Sequence, residues 1–250
     1  MTQDCSRPLT RAALNSSIAL AGLILLALPV RAQTPVPRGP YLQMGTPTSI
    51  VVKWRTTEPS DSRVRFGPAP GQLVNIVDDP GINTDHEVAL SGLSPDTVYY
   101  YSYGSTTAII GGDDAEHYFR TAPPTGSQGP VRIWAIGDSG LANENIQTVR
   151  DAYTAYTGSV GTDVWLMLGD NAYLIGTDEQ YQAAVFEIFP QMLRTTVLWP
   201  TFGNHERPAS SSPDESGPYY DIFSLPRAGE AGGVASGTEA YYSFDYGNVH

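Results

Sequence analysis

Three polar clusters, each opening on glycine and each directly following an apolar run, constrain this chain most. Val131–Ile136 leads into Gly137-Asp138-Ser139-Gly140, and Val164–Leu168 into Gly169-Asp170-Asn171-Ala172-Tyr173. Thr196–Phe202 leads into Gly203-Asn204-His205-Glu206. Asp138, Asp170 and Asn204 stand 32 and then 34 residues apart. Each gap fits one crossover between parallel strands. Helical signals fill the gaps. Ile146, Val149, Tyr153 and Tyr156 recur at helical spacing, and Thr177-Asp178-Glu179-Gln180 reads as a capping box for a helix reaching about Leu193. The pattern is β-α-β-α-β. Open sheets of that kind place ligands just beyond the carboxyl ends of their strands, where all three clusters fall.

Residues 38–122 follow a different rule. Ile50, Val52 and Trp54 alternate with Val51, Lys53 and Arg55, and a second alternating strand, Arg63–Phe66, closes at Gly67-Pro68. Glu87–Leu90, Tyr99–Tyr103 and His117–Arg120 complete a set of short strands. Leu93, Pro95 and Tyr99 resemble the tyrosine corner of fibronectin type III and immunoglobulin-like sandwiches, in which a Tyr hydroxyl ties a strand to the preceding corner. The 25 glycines and 20 prolines suit this turn-rich plan better than a helix bundle. No catalytic constellation occurs in this stretch, and His86 and His117 read as ordinary strand or loop residues. Residues 123–130, rich in Pro and Gly, form a linker.

Residues 1–32 read as an export signal. Arg7 and Arg11 precede an uncharged apolar stretch, Ile18–Leu28, and Val30-Arg31-Ala32 offers a small-residue cleavage site. The apolar stretch is about half the roughly 20 residues a spanning helix needs. Cleavage removes three arginines and one aspartate, taking the formal charge from −12 to −14, and it removes Cys5, the only cysteine. The product is expected to be secreted or periplasmic, free of disulfides, and without membrane contact. Its acidity disfavours nucleic acid as a partner. It does not disfavour a small phosphate ligand, since bound cations reverse a local field.

The residue types of the clusters specify metal chemistry. Asp carboxylates and an Asn carbonyl are hard oxygen donors for Fe, Mn, Mg and, in part, Zn. A carboxylate can bridge two ions, an arrangement suited to phosphoester displacement. Tyr173, three residues after Asp170, can reach the same ion, and its phenol ionises there only beside a strong Lewis acid such as ferric iron.

Taken together, Gly137-Asp138-x-Gly140, Gly169-Asp170-x-x-Tyr173 and Gly203-Asn204-His205-Glu206 resemble the first three blocks of the purple acid phosphatases, members of the calcineurin-like metallophosphoesterases. Gly39–Gln43 and the Leu93–Tyr99 corner are similar to that family's N-terminal fibronectin-like domain. Gly140 stands where many relatives carry a His ligand, and Tyr173 is a tyrosine that they usually lack, a paired change that favours the purple branch.

The resemblance implies a fold class: an all-β fibronectin III-like sandwich (38–122) followed by an α/β metallophosphoesterase domain (131–250). It implies a dinuclear centre of Fe(III) and a divalent ion (Fe, Zn or Mn). Asp138 and Tyr173 would bind the ferric ion, Asp170 would bridge, and Asn204 would bind the divalent ion. His205 would act catalytically over the phosphate, and Glu206 would orient its neighbours. The implied activity is acid phosphatase, hydrolysing small phosphomonoesters with a metal-bound hydroxide.

The alternatives are a phosphodiesterase or nucleotidase on the same scaffold, a Mn or Mg esterase without iron, and a non-catalytic adhesion or carbohydrate-binding protein using the sandwich. The family's later V-x-x-H and G-H-x-H blocks find no match here, and Tyr241–Val249 reads as a strand cut short at His250. The expectation is therefore an N-terminal portion of a longer enzyme that is inactive alone.

Overall fold

Alternation from Ser49 onward builds the longest strand among the described residues. The computed structural model describes Met1 and residues 37–250. The expected export signal, apart from Met1, lies outside the described residues, and so does Cys5. Strand β2 (Ser49–Gly67) contains both stretches expected as separate strands. Its first half lies between β1 (Arg38–Gln43) and β3 (Asn75–Ser91), and its second half between β3 and β4 (Val98–Gly104). Register shifts between Arg55 and Ser62 mark the change of partner, since a bulge bends a strand without ending it. Two short strands, β5 (Ile109–Gly112) and β6 (Tyr118–Arg120), pair with β4, and every pairing in this sheet is antiparallel.

Ile50, Val52 and Trp54 are buried against Val64, Phe66, Leu90, Tyr101 and Phe119. Ser94 N–H donates to Tyr99 Oη at 3.0 Å, the tie expected at the corner. His86 lies in this core, stacked on Trp54 at 4.7 Å with each ring nitrogen 2.9 Å from a hydroxyl, Thr56 or Ser62. Burial lowers its pKa. The opposite face of β2 is buried as well: Val51, Lys53 and Arg55 are only 7–9% exposed because the second half of the molecule packs there.

That second half is organised by a parallel sheet, β7 (Ile133–Ile136), β8 (Val164–Met167) and β9 (Leu198–Pro200), in the order β7-β8-β9. Helix α1 (Glu144–Thr157) joins the first two strands, capped by Asn143, whose side chain accepts from Asn145 and Ile146 N–H. Ile146 is buried and Tyr153 stacks on Trp134 at 4.3 Å, while Val149 and Tyr156 are exposed. At 3.6 residues per turn the exposed pair sits roughly 60–80° round the helix from Ile146, outside the narrow stripe that meets the sheet.

The Thr177–Gln180 capping box is present at α2 (Asp178–Tyr181), which continues as a π-helical turn, Gln182–Phe186. The single helix expected up to Leu193 is interrupted. Pro190, which has no N–H to continue a helix, opens the short α3 (Pro190–Leu193) instead.

The Ser-, Gly- and Pro-rich stretch after Pro208 contains α4 (Pro218–Ile222), and its Tyr219, Ile222 and Phe223 enter the core that holds Trp165 and Phe189. The strand expected at Tyr241–Val249 does not form. Only isolated bridges, Gly232 to Phe244 and Tyr246 to Val249, occur there. The segment is held by side chains instead: Phe244 stacks face to face on Trp199 at 3.9 Å, and Tyr242 Oη donates to Pro200 O at 2.7 Å.

The two sheets belong to one compact unit. Tyr41 Oη donates to Ile222 O, Gln43 Nε2 to Leu198 O, and Lys53 Nζ to Ser224 Oγ, each at 2.8 Å. Among the described residues, no helix is long and apolar enough to cross a membrane.

Candidate metal centre

The loops after β7, β8 and β9 interlock through backbone contacts that only glycine permits. A Cβ on Gly140 would lie 2.5 Å from Ala172 N, and a Cβ on Gly203 would collide with the Asp170 backbone and side chain. Direct hydrogen bonds seal the join: Gly140 N–H to Asp170 O at 3.0 Å, and Tyr173 N–H to Gly140 O at 2.9 Å. Glu206, fully buried, holds the second and third loops together. Its Oε1 accepts from Asn171 N–H (2.8 Å) and Ala172 N–H (3.2 Å); its Oε2 accepts from Gly203 N–H (2.7 Å) and Asp170 N–H (3.1 Å). Burial pushes the Glu206 carboxyl above its ordinary value against the pull of those four donors.

Onto this frame the chain sets three oxygen side chains. Tyr173 Oη lies 2.9 Å from Asp138 Oδ1 and 3.1 Å from Asp170 Oδ2. Asp138 and Asp170 both adopt left-handed backbone, with φ of +53° and +55°. Few residues other than glycine take that conformation, although Asp is among those that tolerate it. Its use at two matching strand ends is the kind of outlier that marks functional sites. The phenol has one proton for two carboxylates. Desolvation first, and then the bonds to Asp138 and Asp170, raise the Tyr173 pKa. A cation at the same place reverses this: it stabilises phenolate and relieves the repulsion between the carboxylates.

The remaining candidates come from the third loop. Asn204 is exposed, between Gly203, which packs on Asp170, and His205, whose N–H donates to Asp170 Oδ1 at 3.1 Å. His205 Nδ1 is 2.7 Å from Leu174 O. A carbonyl only accepts, so Nδ1 carries the hydrogen and Nε2 of the neutral ring holds the lone pair. The ring sits edge-on to Tyr173, with centroids 4.4 Å apart.

The structure thus brings Asp138, Asp170 and Tyr173 together, with His205 against them and Asn204 in the adjoining turn. Among the described residues, no group of three or more His, Cys, Asp or Glu side chains is placed to hold a metal ion. The oxygen set consists of two carboxylates and a phenol, and that hard, acidic set fits a hard cation. Sequence reasoning did not find Leu174, whose carbonyl orients His205, or the second bond of Gln180. Gln180 Oε1 accepts from Ile175 N–H at 2.9 Å as well as from Thr177 N–H at 3.2 Å. The capping motif was the only signal for Gln180, and nothing marked Leu174.

Known proteins resemble this chain in sequence and in fold. Residues 37–121 match the purple acid phosphatase N-terminal domain. The chain is 28% identical to purple acid phosphatase 15 of Arabidopsis thaliana over 188 residues, 66% of this chain and 33% of the relative. It is 30% identical to purple acid phosphatase 23 of the same plant over 191 residues, 66% of this chain and 39% of the relative. The matched regions therefore span a third to two fifths of these relatives. Among solved structures, that of PhoD shares the fold with a TM-score of 0.51 at 15% identity, covering 81% of this chain and 46% of that one. In its matched N-terminal domain and in the region aligned with these relatives the chain is similar to purple acid phosphatases, and its likeness to PhoD is one of fold.

Proposed function

We propose that the protein is an exported acid phosphatase acting on small phosphomonoesters. Its site would lie at the carboxyl edge of an α/β metallophosphoesterase domain, residues 131–250, behind a fibronectin-like domain, residues 38–122. One observation carries the reading: Tyr173 Oη stands within hydrogen-bonding distance of carboxylates from two different loops. A ferric ion paired with a divalent Fe, Zn or Mn would supply Lewis-acid charge for the phosphoryl oxygens and would acidify water for attack on phosphorus.

The chain's own residues prepare that chemistry. Asp138 and Tyr173 would hold the ferric ion, with Tyr173 giving up the proton it now shares between Asp138 and Asp170. The two oxygens of Asp170 have different neighbours, Oδ2 at Tyr173 and Oδ1 at His205 N–H, and this split supports a bridging role. Asn204 would complete the divalent side. Leu174 O anchors His205 through Nδ1, which leaves the Nε2 lone pair free to take up a proton and pass it to the departing alcohol. Glu206 would set the spacing of the loops that carry these groups.

The test is hydrolysis of p-nitrophenyl phosphate at acid pH by the metal-loaded full-length enzyme, since these residues by themselves are expected to be inactive. Loss of about 10²-fold or more in kcat/KM is expected for Asp170→Asn, as for removal of one main electrostatic group from an active site. Preference for bis-p-nitrophenyl phosphate would move the reading to a diesterase. Glycan binding that survives Asp170→Asn, with no hydrolysis to lose, would replace it with an adhesion role.

A further inference from the structure

The sandwich face that β2 turns toward the parallel sheet carries charge where a core would carry aliphatics. Arg55 forms a bidentate pair with Asp178, Nη1 to Oδ1 at 2.8 Å and Nη2 to Oδ2 at 2.7 Å. Arg38, on β1, adds Nη2 to Asp178 Oδ1 at 3.0 Å and Nε to Gln182 Oε1 at 3.1 Å, with its guanidinium 4.0 Å over the Phe186 ring. The arginine side chains are 1% and 8% exposed, and the Asp178 side chain 37%. Planar forks held on one carboxylate fix orientation as well as distance.

Asp178 is the first residue of α2, and its neighbours lead to the metal candidates. Within the same turn, Gln180 Oε1 holds Ile175 N–H, and Ile175 directly follows Leu174, the residue that orients His205, and Tyr173. Gly176, next in line, packs against the Glu206 backbone. The sandwich also reaches the third loop's strand, through Gln43 Nε2 to Leu198 O and the bridge from Leu42 to Val197.

From this continuous path we infer that Arg55, assisted by Arg38, is a positioning residue for the site. Through Asp178 and Gln180 it fixes the Tyr173–Ile175 segment, so that the phenol and His205 are held by the N-terminal sandwich. The part that concerns metal rests on the proposed phosphatase reading; the part that concerns the segment does not.

Residue-resolved hydrogen exchange on the whole protein, without metal, separates the two. Arg55→Met keeps an apolar stem and removes the fork. It is expected to raise exchange at Ile175 and Thr177 N–H by about 10-fold or more while Leu166, in β8, stays protected. Arg55→Lys should fall between that variant and wild type. Arg63→Met removes a comparable bidentate pair, to Asp78, at a place on β2 with no path to the site, and should leave Ile175 unchanged. If Arg55→Met perturbs folding, Gln180→Leu cuts the middle link alone and should expose Ile175 in the same way.

Unchanged exchange at Ile175 in either Arg55→Met or Gln180→Leu overturns the inference, and so does an equal rise in Arg63→Met. In a parallel ferric titration, Arg55→Met should weaken binding by about 10-fold or more, in the range seen when support of a metal ligand is lost. Absence of ferric binding by the wild type, alongside the expected exchange pattern, would sink the metal reading and leave the positioning role standing.

Discussion

Trp54 and Asp138 sit at opposite extremes of this molecule. Trp54 is 1% exposed, lies in the middle of a regular strand and is stacked on His86. Asp138 is exposed, lies just past a strand end and adopts left-handed backbone beside another acid's phenol partner. Around Trp54 each side chain serves packing. Around Asp138 the backbone serves side chains, and two carboxylates from different loops share the hydroxyl of one phenol. The difference teaches where the folding free energy is held. The six-stranded antiparallel sheet and its charged rear face stabilise the molecule, and the three loops draw on that stability to keep two carboxylates close.

Four substitutions bear on the contrast. Trp54→Ala should cost about 3–5 kcal/mol in urea unfolding, the usual loss for a large buried aromatic. A cost below about 1 kcal/mol would erase the distinction between the two regions.

Asp178→Asn should cost about 2–3 kcal/mol at neutral pH by weakening charged hydrogen bonds to two buried arginines. Burial opposes ionisation of Asp178, but Arg55 and then Arg38 outweigh it and hold the folded pKa below the ordinary 3.8. The contribution is therefore fully present above that pH and is lost as pH falls through the folded value. The difference in Tm between wild type and Asp178→Asn should be constant well above the ordinary carboxylate value of 3.8 and shrink as pH falls below it.

Gly203→Ala, which forces a methyl into the Asp170 backbone, should cost about 1–3 kcal/mol, and its signature is a disturbed second loop visible in the Asp170 and Asn171 amide shifts. Asp138→Asn should change metal-free stability by no more than about 0.5 kcal/mol, because the site is exposed, Asn tolerates the same backbone, and one of two competing carboxylates is removed.

Legibility in the sequence followed the same divide. Period-two alternation identified Ile50, Val52 and Trp54 as core directly, because a strand offers a side chain only two directions. It missed that β2 continues through Thr56–Asp61, since a polar bulged stretch looks like a turn. It also gave no reason for Lys53 and Arg55 to be buried, because Ser224 and Asp178, their partners, lie more than 100 residues away. The same period misled at Tyr242, Phe244 and Tyr246. There the alternation is real, but the segment makes bridges rather than a ladder and stacks on Trp199.

At the loops, the glycines and acids were legible because tight turns and hard-metal chemistry each demand particular residues. The fourfold bonding of Glu206 and the double duty of Gln180 were not. A carboxylate or amide that gathers distant backbone N–H groups leaves no spacing signature.

The central claim is that Asp138, Asp170 and Tyr173 form one site for a hard cation, with the phenol as a ligand. Optical titration of the protein with ferric ion tests it most directly. The account predicts a visible phenolate-to-iron charge-transfer band that saturates with added iron, is lost in Tyr173→Phe, and is weakened in Asp138→Asn. Ferric binding without such a band, or a band that survives Tyr173→Phe, would contradict it.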